Sequence, residues 1–95
     1  MSARMSLVTV SVNPGAGVSV AGRLDAAGIV EVNQVVTDFL GGAELDLLTL
    51  DLSAVSMCDL SAVEVVRHAQ AGCAKAGCAL RVVPSDAVRF AMHPR

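Results

Sequence analysis

Cys58, Asp59, Ser61 and His68 lie within eleven residues of one another, close enough to raise the question of shared chemistry. A cysteine beside an aspartate, with a histidine on the following helix, suggests a thiol nucleophile. A neighbouring carboxylate, however, raises a thiol's pKa instead of lowering it, and neither an activating base nor a set of oxyanion donors can be picked out. Asp51 and Asp59 could form an acid–base pair or a magnesium site, but Asp59 has a simpler role capping the helix that follows it. The chain has no Gly-rich phosphate loop ending in Lys-Ser/Thr, no GxGxxG after a strand and no His-Glu-x-x-His. A non-enzymatic protein is expected, with no cofactor, no metal and no nucleotide affinity of its own. His68 and His93 are expected as ordinary surface and tail residues, and Met57 and Met92 as core filler.

Ser61 has a different potential. A serine in the first turn of a helix sits where free backbone N–H groups and the positive end of the helix dipole favour an anion, so the fold would tolerate a phosphate there. A partner would feel it: about −2 charges beside Asp59 and Glu64 repel an acidic surface and desolvate badly in an apolar interface. Ser61-Ala62-Val63-Glu64 also has the form of a capping box, serine with glutamate three residues on. The two roles place Ser61 differently in one turn: either Asp59 is the cap and Ser61 lies inside the helix, or Ser61 is itself the cap.

Composition removes several classes of function. With 54% hydrophobic and only 17% charged residues, a disordered chain would leave too much apolar surface in water. A net charge of −2 and only two aromatic residues, Phe39 and Phe90, argue against nucleic acid, which needs a cationic footprint. No stretch approaches the roughly 20 apolar residues of a membrane span, because Glu31, Asp38, Glu64 and Arg67 interrupt the candidates. The opening MSARMSLVTVSV lacks the solid apolar centre of a signal peptide, so a cytoplasmic location is expected. Cys58, Cys73 and Cys78 are then expected to be reduced and to pack as small hydrophobes.

The elements that position these residues follow from periodicity. One domain spanning 1–95 is expected from the length. SLVTVSV at 6–12 and VSVAGRL at 18–24 alternate as strands, and the NPGAG break at 13–17 makes them an antiparallel hairpin. From Ala27 to Leu40 the apolar spacing is helical, with Asp25 as N-cap and Gly41-Gly42 as stop. LLTLDL at 47–52 has the form of a central strand, and SAVSMC at 53–58 leads from it to Asp59. A second helix runs from Asp59 to about Lys75 and stops at Gly77, with Ala62, Val65, Val66, Ala69, Cys73 and Ala76 on one side. ALRVV at 79–83 is a strand parallel to 47–52, and Pro84-Ser85-Asp86 opens a last helix through about Met92. The expected fold is α/β, in the order β-β-α-β-α-β-α, with a mixed four-stranded sheet and helices mainly on one face.

The run LTLDLSAVSMCDLSAVEVVRHAQAGCAKAGCALRVVPS at 48–85 resembles the STAS domain of bacterial anti-sigma factor antagonists. Their pattern is an apolar strand, Asp-Leu-Ser, a turn, then Asp-Ser-Ser/Thr-Gly opening a helix. Gly22-Arg23-Leu24-Asp25 is similar to the family's Gly-x-Leu-Asp, so the resemblance covers about Val8 to Arg89. It implies that Ser61 is the phosphorylated residue and Asp59 the motif's leading aspartate. Leu60 stands where the family has its first Ser, and Ala62 where it has Gly. The implied function is partner switching: docking on an anti-sigma factor with serine kinase activity, which binds the ATP, and release of a sigma factor, with a phosphatase resetting Ser61. Asp25, Asp59, Leu60, Ala62, Glu64 and His68 would form the docking surface. Leu60 and Ala62 favour an alternative, a STAS scaffold or transport-complex subunit that is never phosphorylated. The apolar composition suggests another, a small-ligand or lipid-binding module.

Overall fold

In a computed structural model the chain forms the expected succession of elements; the structure describes residues 8–13, 16–42 and 46–92. The strand start at Ser6 and Leu7, Pro14 and Gly15 of the first turn, and the His93 tail lie outside the described residues.

Strand β1 (Val8–Asn13) pairs antiparallel with β2 (Gly17–Leu24), setting Val8, Val10 and Val12 opposite Gly22, Val20 and Val18. Helix α1 (Ala26–Gly42) then leads to β3 (Leu47–Cys58), which lies parallel to β2. Helix α2 (Ser61–Ala76) leads to β4 (Ala79–Pro84), parallel to β3, and helix α3 (Asp86–Met92) follows. The sheet order is β1-β2-β3-β4, so each helix crossover joins adjacent strands.

One face of this sheet carries the core. Val18, Val20 and Leu24 of β2 and Leu48, Leu50 and Leu52 of β3 are fully buried against Val32 and Val36 of α1 and Val65 and Ala69 of α2. On the other face Thr9, Ser11, Asn13 and Arg81 are exposed, so the helices cover a single side. The period-two pattern of the strands and the 3.6-residue pattern of the helices meet in this one layer.

Residues 53–58, expected as a connection, belong to β3. The two steps of β2 from Ser19 to Ala21 match three steps of β3 from Asp51 to Ala54, and the single step from Gly22 to Arg23 matches the double step from Val55 to Met57. Each extra residue is a bulge that shifts the alternation by one. Inward positions therefore run Leu48, Leu50, Leu52, then Val55, then Cys58. Serines support both bulges: Ser53 donates from its N–H (3.0 Å) and its hydroxyl (2.6 Å) to Asp51 Oδ1, and the Ser56 hydroxyl donates to the Gly22 carbonyl (3.3 Å). The same shift leaves Met57 59% exposed, which corrects its expected place in the core.

At the start of β2 the two parallel backbones come unusually close. A Cβ on Gly17 would fall 1.9 Å from the Thr49 carbonyl oxygen, a backbone atom that cannot swing aside. Gly17→Ala should lower stability by about 1–3 kcal/mol or more, as overpacking does. Gly41→Ala, which meets open space, should change it by less than about 0.5 kcal/mol. Thermal melts of the two variants check this, and equal melting temperatures would contradict it.

Candidate functional site

The parallel pairing ends with Leu24 beside Cys58, so β2 and β3 release the chain at neighbouring points. Each strand passes to its helix through one aspartate. Asp25 Oδ1 accepts from the N–H groups of Ala27 and Gly28, both at 3.2 Å, and caps α1 as its position in the sequence implies. Asp59 Oδ1 accepts from the Ser61 N–H at 2.8 Å. Leu60, between them, is already helical (φ −66°, ψ −7°), and Ser61 is the first residue of α2. The Ser61 N–H is thus taken by Asp59, not by Glu64, and the capping box does not form. Asp59 supplies the helix start, and Ser61 is half-buried instead of lying free in solvent.

The Ser61 hydroxyl, followed by its N–H, holds the Asp59 carboxyl below its ordinary value of 3.8, with a smaller contribution from the nearby Arg23 guanidinium. Arg23 Nε also lies 3.8 Å from Asp25 Oδ2. One cation therefore serves two capping carboxylates from neighbouring strand ends. Together Arg23, Leu24, Asp25, Met57, Cys58 and Asp59 line a shallow cleft of about 220 Å³. Exposed apolar side chains flank it, Met57 at 59% and Leu60 at 67%.

The other chemical candidates disperse. Burial, then the Asp59 charge, pushes the Cys58 thiol up, and its Sγ donates to the Ala87 carbonyl of α3 at 3.3 Å. Asp51 sits mid-strand opposite Ser19 and Val83, its carboxyl held low by the Ser53 hydroxyl and N–H. Counted on β2, which has no bulge, from its partner Ser19 to one step past Leu24, it is roughly 20 Å from Asp59 at ~3.3 Å per residue, too far to share a proton or a metal. Among the described residues no group of three His, Cys, Asp or Glu side chains could hold a metal ion.

A family model described as "Mlab, STAS domain" matches residues 9–93. The chain belongs to the STAS domain family. No curated protein matches it. The STAS match covers the hairpin from Thr9 onward, both crossovers and all of α3, and so includes every residue of the cleft.

In this STAS domain the expected docking residues separate into groups. Asp25, Asp59, Leu60 and Ser61 meet at the paired strand ends, and Glu64 is exposed one turn further along α2. Ala62 is fully buried in the core, so its methyl group touches no partner, which corrects its expected place on the docking surface. The helix that exposes Leu60 turns the side chain two positions on toward the sheet. His68 lies seven residues beyond Ser61, roughly 10 Å along the axis at 1.5 Å per residue. There its Nε2 meets Thr37 Oγ1 at 2.8 Å and ties α2 to α1. It lines a separate groove of about 550 Å³ with Thr37, Leu40, Gly72 and Lys75.

Arg23 and Met57 were not singled out from sequence. Arg23 had one available signal, a lone cation two residues before a capping aspartate. Its second partner, Asp59, becomes visible only with the β2–β3 register.

Because Asp59 is held low in the folded state, its contribution to stability is complete above the ordinary carboxylate pKa and is lost as pH falls through the lowered value. Asp59→Ala should cost about 0.5–1 kcal/mol at neutral pH, in the lower range for caps because water competes at this exposed site. The gap between wild type and variant should close as the pH falls below the ordinary carboxylate value of 3.8 and the carboxylate takes up its proton. Chemical denaturation across pH measures it, and a gap independent of pH would contradict a charge-assisted cap.

Proposed function

We propose that this STAS domain is an anti-sigma factor antagonist, a non-enzymatic cytoplasmic module that docks on an anti-sigma factor with serine kinase activity and is released when Ser61 is phosphorylated. The observation that carries this reading is the position of Ser61. It opens α2 with its hydroxyl against Asp59, at the rim of a cleft flanked by exposed Met57 and Leu60. Apolar side chains of this size contribute about 1.5–3 kcal/mol each when a partner covers them fully, enough to anchor a small interface. A phosphate on Ser61 would add about −1.5 to −2 charges in that ring of contacts and beside the Asp59 carboxylate. Its effect on the domain would be mild, since the first turn of a helix favours an anion, and its effect on the complex would be large. ATP is assigned to the partner, and a phosphatase would reset the site.

A second reading is supported by Leu60. A 67% exposed leucine where the family resemblance places serine suits a permanently docked scaffold or transport-complex subunit that is never phosphorylated.

The readings separate on incubation of the chain with ATP and an extract of its own cells, followed by mass spectrometry. The switch predicts one phosphate, on Ser61, absent from Ser61→Ala. No phosphate, or phosphate elsewhere, would overturn it and leave the scaffold. With the co-purified partner, Ser61→Asp should keep near-native stability and weaken binding by at least about 1 kcal/mol, roughly fivefold in Kd. Undiminished binding of that variant would also contradict the switch.

A further inference from the structure

The end of α2 brings together two cysteines that the sequence separates by four residues. The helix stops at Gly77, which takes the left-handed conformation (φ 76°, ψ 28°) and donates its N–H to the Cys73 carbonyl. The next N–H, that of Cys78, reaches the same carbonyl at 3.0 Å. A reversal of this kind folds the second residue past the helix back over the last turn and presses the two side chains together. In this turn both of those side chains are thiols, and the Cys78 thiol, after burial, helps push the Cys73 thiol up. The 3.0 Å contact holds the two Cα atoms no more than about 7 Å apart by bond lengths alone, at the edge of the ~4.4–6.8 Å that disulfides span.

We propose that Cys73 and Cys78 are a redox-active dithiol that a peroxide closes to an intramolecular disulfide. The two thiols differ in access: Cys73 is 2% exposed, while Cys78, at the mouth of the turn, is half-buried. Cys78 is therefore the first to react. Its sulfur attacks one peroxide oxygen, the O–O bond breaks, water leaves and a sulfenic acid forms. The Cys73 sulfur then attacks Sγ of Cys78. The S–S bond forms, and the hydroxyl departs as a second water with the Cys73 proton. Two electrons pass from the sulfur pair to one hydrogen peroxide. Burial, and then the contact with Cys78, pushes the Cys73 thiol up to about 11, so it rests protonated at neutral pH and closure speeds up as the pH rises. Cys58 is outside this chemistry, at the far end of the twelve-residue strand β3 and bonded to Ala87.

The test treats the full chain with hydrogen peroxide, blocks the remaining thiols in denaturant and digests with trypsin, which cuts after Lys75 between the two cysteines. The expected product is the peptide 68–75 joined to the peptide 76–81 and lighter by two hydrogens. Cys73 and Cys78 should be lost together, at least about tenfold faster than Cys58, whose thiol is pushed up by burial and then by the Asp59 charge and is held on the Ala87 carbonyl. Cys58→Ala should give the same cross-link at the same rate, and Cys78→Ser should give none. Equal loss of all three thiols, a cross-link to Cys58, a disulfide between two copies, or sulfinic acid on Cys78 without a cross-link would each overturn the proposal. So would no oxidation at all. The wild-type digest decides the matter if Cys78→Ser does not fold.

Discussion

The parallel pairing of β2 with β3 is the constraint on which the rest of this molecule depends. It fills the buried face with Val18, Val20, Leu48 and Leu50 and sets the platform for both crossover helices. Its register also decides the geometry of the site. Without the two bulges, β3 would reach the level of Leu24 two residues earlier, and Asp59 would not follow directly on the pair of Leu24 with Cys58. The bulges turn a buried apolar strand into a strand end that exposes Met57, tucks Cys58 under α3 and places the chain for α2. A cleft beyond the carboxyl ends of parallel strands is a recurrent outcome of this architecture, because the helices that follow begin there with free N–H groups.

The chemistry of the rim is a matter of how few charges are present and how closely they are arranged. Two carboxylates cap two helices, and each also feels Arg23. Asp59 is the more constrained, because the Ser61 hydroxyl and N–H both address it. Phosphorylation of Ser61 would remove the hydroxyl's proton from that contact and replace it with negative charge, leaving the N–H as the cap's remaining donor. The domain would lose one hydrogen bond, worth about 0.5–1.5 kcal/mol, and regain part of it from the helix dipole. The physics therefore directs most of the effect outward, to whatever covers Met57 and Leu60.

Much of this was legible in the sequence for identifiable reasons. The alternation of Val8, Val10 and Val12, the helical spacing of Val32 and Val36, and the stop at Gly77 each report a local rule that the fold obeys. Asp25 was recognisable as a cap because its carboxylate acts on its own neighbours. Residues 53–58 escaped because a bulged strand has no period of two, and its serines resemble those of a turn. Ala62 was misplaced because motif position fixes only which residue follows which, whereas the helix decides which side chain faces the sheet. His68 and Arg23 answer to partners 31 and 36 residues away, Thr37 and Asp59, and no local pattern records that. The contact of Cys73 with Cys78 was encoded in Gly77, but it requires the turn geometry and not the cysteine spacing to be seen.

The central claim is that the paired ends of β2 and β3, and not the α1–α2 groove, are where this STAS domain meets its partner. Hydrogen–deuterium exchange tests it most directly, comparing the chain alone with its complex with the protein that co-purifies from its own cells. The account predicts slowed exchange at residues 23–28 and 57–64, the two helix starts and the exposed apolar rim between them. Protection confined to the neighbourhood of Thr37, His68 and Gly72, with residues 57–64 unchanged, would contradict it.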